Sequence, residues 1–238
     1  MPFWIIGKQP VIEAIKSKSV IIEDICVLKL EQKNFIKNIS PNEKVRIVEK
    51  NFINKVTKIE TAHQGFAALI KYKTIKPNNL KLKTLLEYDN YICLDGVTDT
   101  RNIGSIIRTC LAFDIESIII NKRNIDQENQ AIIKASAGAI FNLELQKVTN
   151  LSSAIKFLKK NNYYIYTFGS SSNAFNIKNL KLHKKNIFIF GSEGFGVSQN
   201  IIKQSDFEVK LNTSEKMKHL NVSNAISSFL AIRDFIKN

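Results

Sequence analysis

Near the end of the chain, "MKHLNVSNAISS" (217–228) places more polar side chains before an apolar helix than a helix start needs. Ser223 alone can cap the run Ala225, Ile226, Phe229, Leu230 and Ile232, which leaves Asn221 and His219 over for chemistry. A second stretch, "NIFIFGSEGFGVSQN", ends a buried strand in Gly191, Gly194 and Gly196 and holds Glu193 inside the turn. Such glycines let backbone approach a ligand closely, and a carboxylate there favours a cationic one. A plain tight strand-to-helix turn is the competing account. The spacing in GSEGFG is wrong for a dinucleotide fingerprint, and an acid inside the loop would repel a pyrophosphate, so a nicotinamide enzyme is set aside. In the third stretch, "LDGVTDTRNIGSIIRT", Gly104 leaves the first helical turn bare. Arg108 follows four residues later on the same face, long enough to fold back over that turn toward the strand end. The alternative is an ordinary surface arginine with Asn102 as the helix cap.

The elements that must position these residues follow from periodicity. Up to about Lys73 the chain alternates briefly, with helices at "VIEAIKS" and "KNFIKNI" and strands at "IEDICVLK", "KVRIVEK" and "FAALIKYK". "KPNNLKLKTLLEYDN" breaks the pattern as a linker with a short helix. Longer strand–helix units then begin with the apolar run "NYICLDGV", whose continuity predicts a strand buried on both faces. A helix over about 103–113, the strand "SIIIN", a helix in "QENQAIIKASAGAIFN" ending near Gly138, and the strand "LELQKV" come next. "LSSAIKFLKKNN" and "GVSQNIIKQS" read as helices, and "YYIYTFG", "NIFIFG" and "FEVKL" as strands, before a final helix from about Asn221. This alternation predicts an α/β fold with a mostly parallel sheet and helices on both faces. All three polar stretches fall at carboxyl ends of strands, where such sheets bind ligands.

The 238 residues carry a formal charge of +14, a surplus that gathers polyanions through counterion release. The abundance of Lys, Ile and Asn together also fits an AT-rich genome, so charge alone leaves the partner open. Residues 1–86 hold +9 of that surplus. No apolar run approaches the ~20 residues a membrane span needs. The start "MPFWIIGKQPVIEAIKSK" lacks a secretory pattern, so it is expected to belong to the fold of a cytoplasmic protein. Cys26, Cys93 and Cys110 are scattered, without metal-ligand spacing, and are expected to be buried free thiols; no metal is expected.

"NIGSIIRT", "FGSEGFGVS" and "LNVSNA" resemble, in order and spacing, the three motifs of the SpoU (TrmH-type) RNA ribose 2'-O-methyltransferases, with "KASAGA" fitting between the first two. "IIGKQPVIEAI" and "TAHQGFAA" resemble the small substrate-binding domain of the RlmB-type members, which modify a guanosine of large-subunit rRNA. The resemblance implies an N-terminal α/β RNA substrate-binding domain over 1–75, a linker over 76–87, and a methyltransferase domain over 88–238 with a deep trefoil knot (SPOUT-type). It implies S-adenosyl-L-methionine bent in the knot against backbone at Gly191, Leu211 and Leu220, and a homodimer formed through the knotted domain. It further implies a ribose 2'-OH displacing the sulfonium from the methyl carbon, served by Asn102, Arg108, Glu193, Asn221 and Ser223. rRNA is the expected substrate, with tRNA, or a non-catalytic RNA-binding module for ribosome assembly, as alternatives. His219 departs from the family's usual serine, and Asn212 and Thr213 replace a Pro-Met-like pair. Lys216 and Lys218 either reach RNA or form a solvated loop. His63, Phe52 and Phe66 stay divided between an RNA-facing surface and ordinary packing.

Overall fold

The computed structural model describes residues 1–57, 63–73, 82–121, 128–169, 171, 174–214, 216–217 and 220–237. The chain divides into two compact units, Met1–Lys76 with Gln127–Asn142, and Pro77–Asp126 with Leu143–Asn238.

In the first unit, strands β1 (Phe3–Ile6), β2 (Val20–Val27), β3 (Val45–Ile47) and β4 (Phe66–Tyr72) form a sheet in the order β1-β4-β2-β3. β4 runs antiparallel to both its neighbours, and β3 lies parallel to β2. Helices α1 (Lys8–Lys16) and α2 (Leu30–Ile39) sit where periodicity places them. A further helix, α3 (Lys50–Thr57), had no sequence counterpart; Ile53 anchors it in a core with Ile6, Cys26 and Ala67. The segment 127–142, which the sequence division puts with the methyltransferase domain, belongs to this unit. Ser17 Oγ donates to the Phe141 carbonyl at 2.7 Å, and Asn142 Nδ2 donates to Glu13 at 3.1 Å. Its helix α5 (Gln130–Ala135) ends three residues short of Gly138, because Ala137 and Gly138 take positive φ. At Gly138 a Cβ would lie 2.8 Å from Pro10 Cα, so only glycine permits that approach to α1.

The second unit contains β5 (Asn90–Asp95), α4 (Thr100–Ala112), β6 (Ser117–Asn121), β7 (Glu144–Val148), α6 (Leu151–Lys160), β8 (Tyr164–Phe168), β9 (Phe175–Asn176), β10 (Asn186–Gly191), α7 (Gln199–Ile202), β11 (Phe207–Lys210) and α8 (Val222–Lys237). Its seven strands, in the order β7-β6-β5-β10-β8-β11-β9, are all parallel, as the alternation predicts. The continuous apolar runs are buried on both faces. Tyr91, Cys93, Ile187 and Ile189 pack with Leu151, Ile155 and Leu158 of α6 and Ile201 of α7. Phe168, Phe188 and Phe190 point the other way and meet Phe229 of α8, with ring centroids 4.6, 4.6 and 5.8 Å away. α8 also lies along α4, and the buried Arg233 donates to the Phe113 carbonyl at the end of α4 (3.3 Å). These contacts hold α8 against α4. α7 is a single turn, shorter than "GVSQNIIKQS" suggests, because the chain re-enters the sheet where Asp206 N donates to the Ile165 carbonyl (2.8 Å).

The three cysteines are buried and free, as expected. Burial pushes the Cys26 thiol up to about 12 and Cys93 well above its ordinary range, so neither is a nucleophile near neutrality. No helix among the described residues is long and apolar enough to cross a membrane.

Candidate active site

β5 and β10 are adjacent and in register, with Asp95 opposite Gly191, so the loops that leave them begin side by side. Gly96 turns the first loop at φ +73°, and a Cβ there would lie 3.7 Å from Ser192 in the second. Asp99 then caps α4. Its Oδ1 accepts the N–H groups of Arg101 (2.7 Å) and Asn102 (3.2 Å), and those backbone donors hold its carboxyl below the usual range. This removes the alternative in which Asn102 is the helix cap. A free Asn102 side chain results, and its Nδ2 donates to Glu193 Oε1 at 3.0 Å.

The loop after β10 closes on itself. Gly196 N donates to the Ser192 carbonyl at 2.8 Å, and the two residues form an isolated bridge. The space a Cβ on Gly191 would need is already filled: the Gly196 carbonyl carbon would lie 1.8 Å away and Val197 N 2.1 Å. Gly191 is therefore required by the return of its own loop, whatever else its backbone does. Asp95 pins the far end, its Oδ2 accepting the Ser198 N–H at 2.8 Å. The sequence reading missed Asp95, although an acid as the last residue of a buried strand was the available signal. Asp95→Ala is expected to cost about 1–2 kcal/mol, which thermal scanning reads as a Tm lower by roughly 2–8 °C for a chain of this size. Asp95→Asn, which keeps an acceptor, is expected to lose less.

At the start of α8, Asn221 Oδ1 accepts the Ser223 N–H (2.9 Å) and the Ser223 hydroxyl (2.6 Å). Asn221 is thus the cap, not Ser223, which corrects the sequence reading. Its Nδ2 meanwhile donates to Asn102 Oδ1 (3.0 Å) and to Glu193 Oε1 (2.5 Å). The three side chains close a triangle in which every donor meets an acceptor. Turning either amide over would set an oxygen against the Glu193 carboxylate, so the network fixes both orientations. Glu193 is exposed while Asn102, Asn221 and Ser223 are half-buried, which puts the carboxylate at the mouth of the cluster.

The other site candidates distribute differently. Arg108 is exposed and has no hydrogen-bond or ion-pair partner among the described residues, so none of these holds it folded back over Gly104, which is buried. It lies six residues beyond Asn102, about 9 Å along the axis and roughly 240° around it. Leu211 follows the last residue of β11 and is half-buried; Leu220, beside Asn221, is 40% exposed. His219 and Lys218 lie outside the described residues, and Lys216 is exposed. In the N-terminal unit His63 is buried and its Nδ1 accepts the Gly65 N–H at 2.9 Å, so it is a structural loop histidine. Phe66 is core, edge-on to Phe35, and Phe52 packs edge-on to Trp4. No group of metal ligands occurs among the described residues.

Residues 89–231 match the SpoU rRNA Methylase family, and residues 4–75 match the RNA 2'-O ribose methyltransferase substrate-binding family. A protein of Staphylococcus epidermidis ascribed to the TrmH family of tRNA/rRNA methyltransferases is 34% identical over 232 residues, covering 94% of this chain and 91% of its own. A crystal structure of an RNA 2'-O ribose methyltransferase shares the fold with a TM-score of 0.77 at 18% identity, covering 99% of this chain and 89% of that one. So does the SpoU methyltransferase AviRb of Streptomyces viridochromogenes in complex with AdoMet, with a TM-score of 0.75, 14% identity, and coverage of 99% and 90%.

Proposed function

The chain is an RNA methyltransferase of the SpoU (TrmH-type) family, and from that premise we propose that it transfers a methyl group from S-adenosyl-L-methionine to a ribose 2'-OH, with a guanosine of large-subunit rRNA as target. The observation that carries the reading is the triangle of Asn102 in the first turn of α4, Glu193 in the loop after β10, and Asn221 at the cap of α8. The residues present suit the cofactor. Leu211 and Leu220 bracket the loop before α8 with apolar side chains that the core leaves partly uncovered, a fit for a flat adenine. A carboxylate at the mouth suits a sulfonium and would repel a phosphate. Backbone at Gly191, Leu211 and Leu220 would hold the cofactor, which when bound supplies a methyl carbon made electrophilic by its positive sulfur.

The side chains then have separate tasks. Asn102 and Asn221 orient the Glu193 carboxylate, and Ser223 locks the Asn221 amide in place. Arg108, permanently charged, is a poor base and a good bidentate ligand for the target phosphate, so the proton of the hydroxyl leaves to water. Alignment of the hydroxyl oxygen with the methyl carbon is the main contribution asked of the site. The same reading has the last loop and α8 threaded in a trefoil knot and two copies paired through this unit. Phe235, 84% exposed on the last turns of α8, supports such a pairing.

Incubation with methyl-labelled cofactor and unmodified rRNA and tRNA transcripts tests the reading. Label is expected in rRNA, at a position made resistant to alkaline cleavage. Arg108→Ala is expected to fall on the order of a hundredfold in rate with an unchanged melting curve. Label in tRNA alone would move the target to tRNA. Tight rRNA binding with no cofactor uptake would leave a non-catalytic assembly module.

A further inference from the structure

Phe195 is 96% exposed, the barest aromatic side chain among the described residues, yet its loop is tied down at both ends. The Ser192–Gly196 bridge and the Asp95–Ser198 bond hold both ends of the turn, and glycines flank it on either side. A Cβ at Gly194 or Gly196 would meet nothing within 4 Å, so the backbone on either side of the ring is open as well. An unburied phenylalanine forgoes about 1.5–3 kcal/mol of burial, a cost with no return inside the unit. Phe195 follows Glu193 by two positions, so their Cα atoms are at most about 7.6 Å apart. Arg101, which precedes Asn102 at the start of α4, has a side chain 86% exposed and, among the described residues, a 3.6 Å ion pair with Asp99. An aromatic face, an accessible guanidinium and a surplus of +14 charges together describe contacts for a base and its phosphate.

We propose that Phe195 stacks on a nucleobase of the bound RNA strand, beside the ribose presented to Glu193, and thereby positions the nucleotide for reaction. The proposal rests on the methyltransferase reading above and names the strand contact which that reading leaves open. Stacking needs a π face, so area alone does not substitute for it. A second copy of the chain would instead use the ring as a simple apolar contact.

The test uses the full chain. Phe195→Ala is expected to raise KM for an unmodified large-subunit rRNA transcript about ten- to hundredfold, leaving the melting curve and the monomer–dimer distribution unchanged. Phe195→Tyr is expected to restore the wild-type KM, and Phe195→Leu to behave like the alanine variant. A binding arm is independent of turnover: the added tryptophan fluorescence of Phe195→Trp, taken as the difference from wild type, is expected to be quenched by mixed-sequence oligoribonucleotides and not by polyphosphate. Unchanged KM in Phe195→Ala, full activity in Phe195→Leu, dissociation of the alanine variant into monomers, or equal quenching by polyphosphate would each overturn the proposal. If the wild-type chain methylates no RNA while the quenching still distinguishes bases from polyphosphate, the methyl-transfer reading has failed and the stacking contact stands.

Discussion

Gly191→Ala is expected to open the loop after β10, lower the melting temperature by roughly 6–20 °C, and reduce methyl transfer at least a hundredfold. The added carbon would lie 1.8 Å from the Gly196 carbonyl carbon, 2.0 Å from its oxygen and 2.1 Å from Val197 N. All three are backbone atoms, so no side-chain rotation relieves the clash. The turn must lift, and the Gly196–Ser192 and Ser198–Asp95 hydrogen bonds go with it. Overpacking of about 1–3 kcal/mol and two lost bonds of about 1 kcal/mol each set the size of the stability loss. Lifting the turn also displaces Glu193, and a shift of ~1 Å in a positioned group costs about a hundredfold in rate. Gly194→Ala is the control. Its Cβ meets nothing within 4 Å and its φ is not positive, so its stability is expected to stay within about 0.5 kcal/mol of wild type. Equal melting curves for the two variants would show that the loop does not need its glycine at 191.

The sequence announced the parallel sheet because strands buried on both faces are written as unbroken apolar runs, as in Tyr91–Leu94 and Ile187–Phe190. It also announced the polar clusters at the strand ends. What it did not announce was the division of labour inside each cluster. Asp99, Asn102, Asn221 and Ser223 are all good capping residues by type, and composition cannot rank them. Which one caps depends on where each loop leaves the sheet, and that comes from the Asp95–Gly191 register, a non-local fact. The assignment of 127–142 to the first unit was hidden for a similar reason. Its local pattern is that of an amphipathic helix, and the partner it buries against is decided by Gly138 meeting Pro10, far away in sequence. The helix Lys50–Thr57 was missed because it is short and only Ile53 is buried on it. Arg108 is the opposite case: its motif is plain in the sequence, and the folded chain leaves it exposed without a partner among the described residues.

Asn221→Asp separates the two tasks that Asn221 performs at once. Aspartate caps a helix as well as asparagine does, so an Oδ1 is still present to accept the Ser223 N–H, and the melting temperature is expected to stay within about 2 °C of wild type. The other side of the side chain changes sign. Where Nδ2 donated to Glu193 Oε1 and Asn102 Oδ1, the variant sets an acceptor oxygen against two acceptors, one of them a carboxylate. The triangle must come apart, and the rate is expected to fall about a hundred- to a thousandfold. Asn221→Ala removes the cap as well, so it is expected to lose a similar rate and also ~1 kcal/mol of stability. The double variant Asn221→Asp with Glu193→Gln reverses donor and acceptor across the pair. With the Asn102 amide turned over, the introduced glutamine donates through its nitrogen to Asn102 Oδ1 and to the introduced aspartate, Asn102 Nδ2 donates to that aspartate, and the cluster again carries a single negative charge. If the network matters through complementarity, the double variant recovers at least about tenfold over Asn221→Asp alone, a coupling of ~1.4 kcal/mol that independent sites would not show. Recovery to no degree would locate the requirement in a carboxylate at position 193 itself. Wild-type activity in Asn221→Asp would dismantle the triangle as a working part of the site.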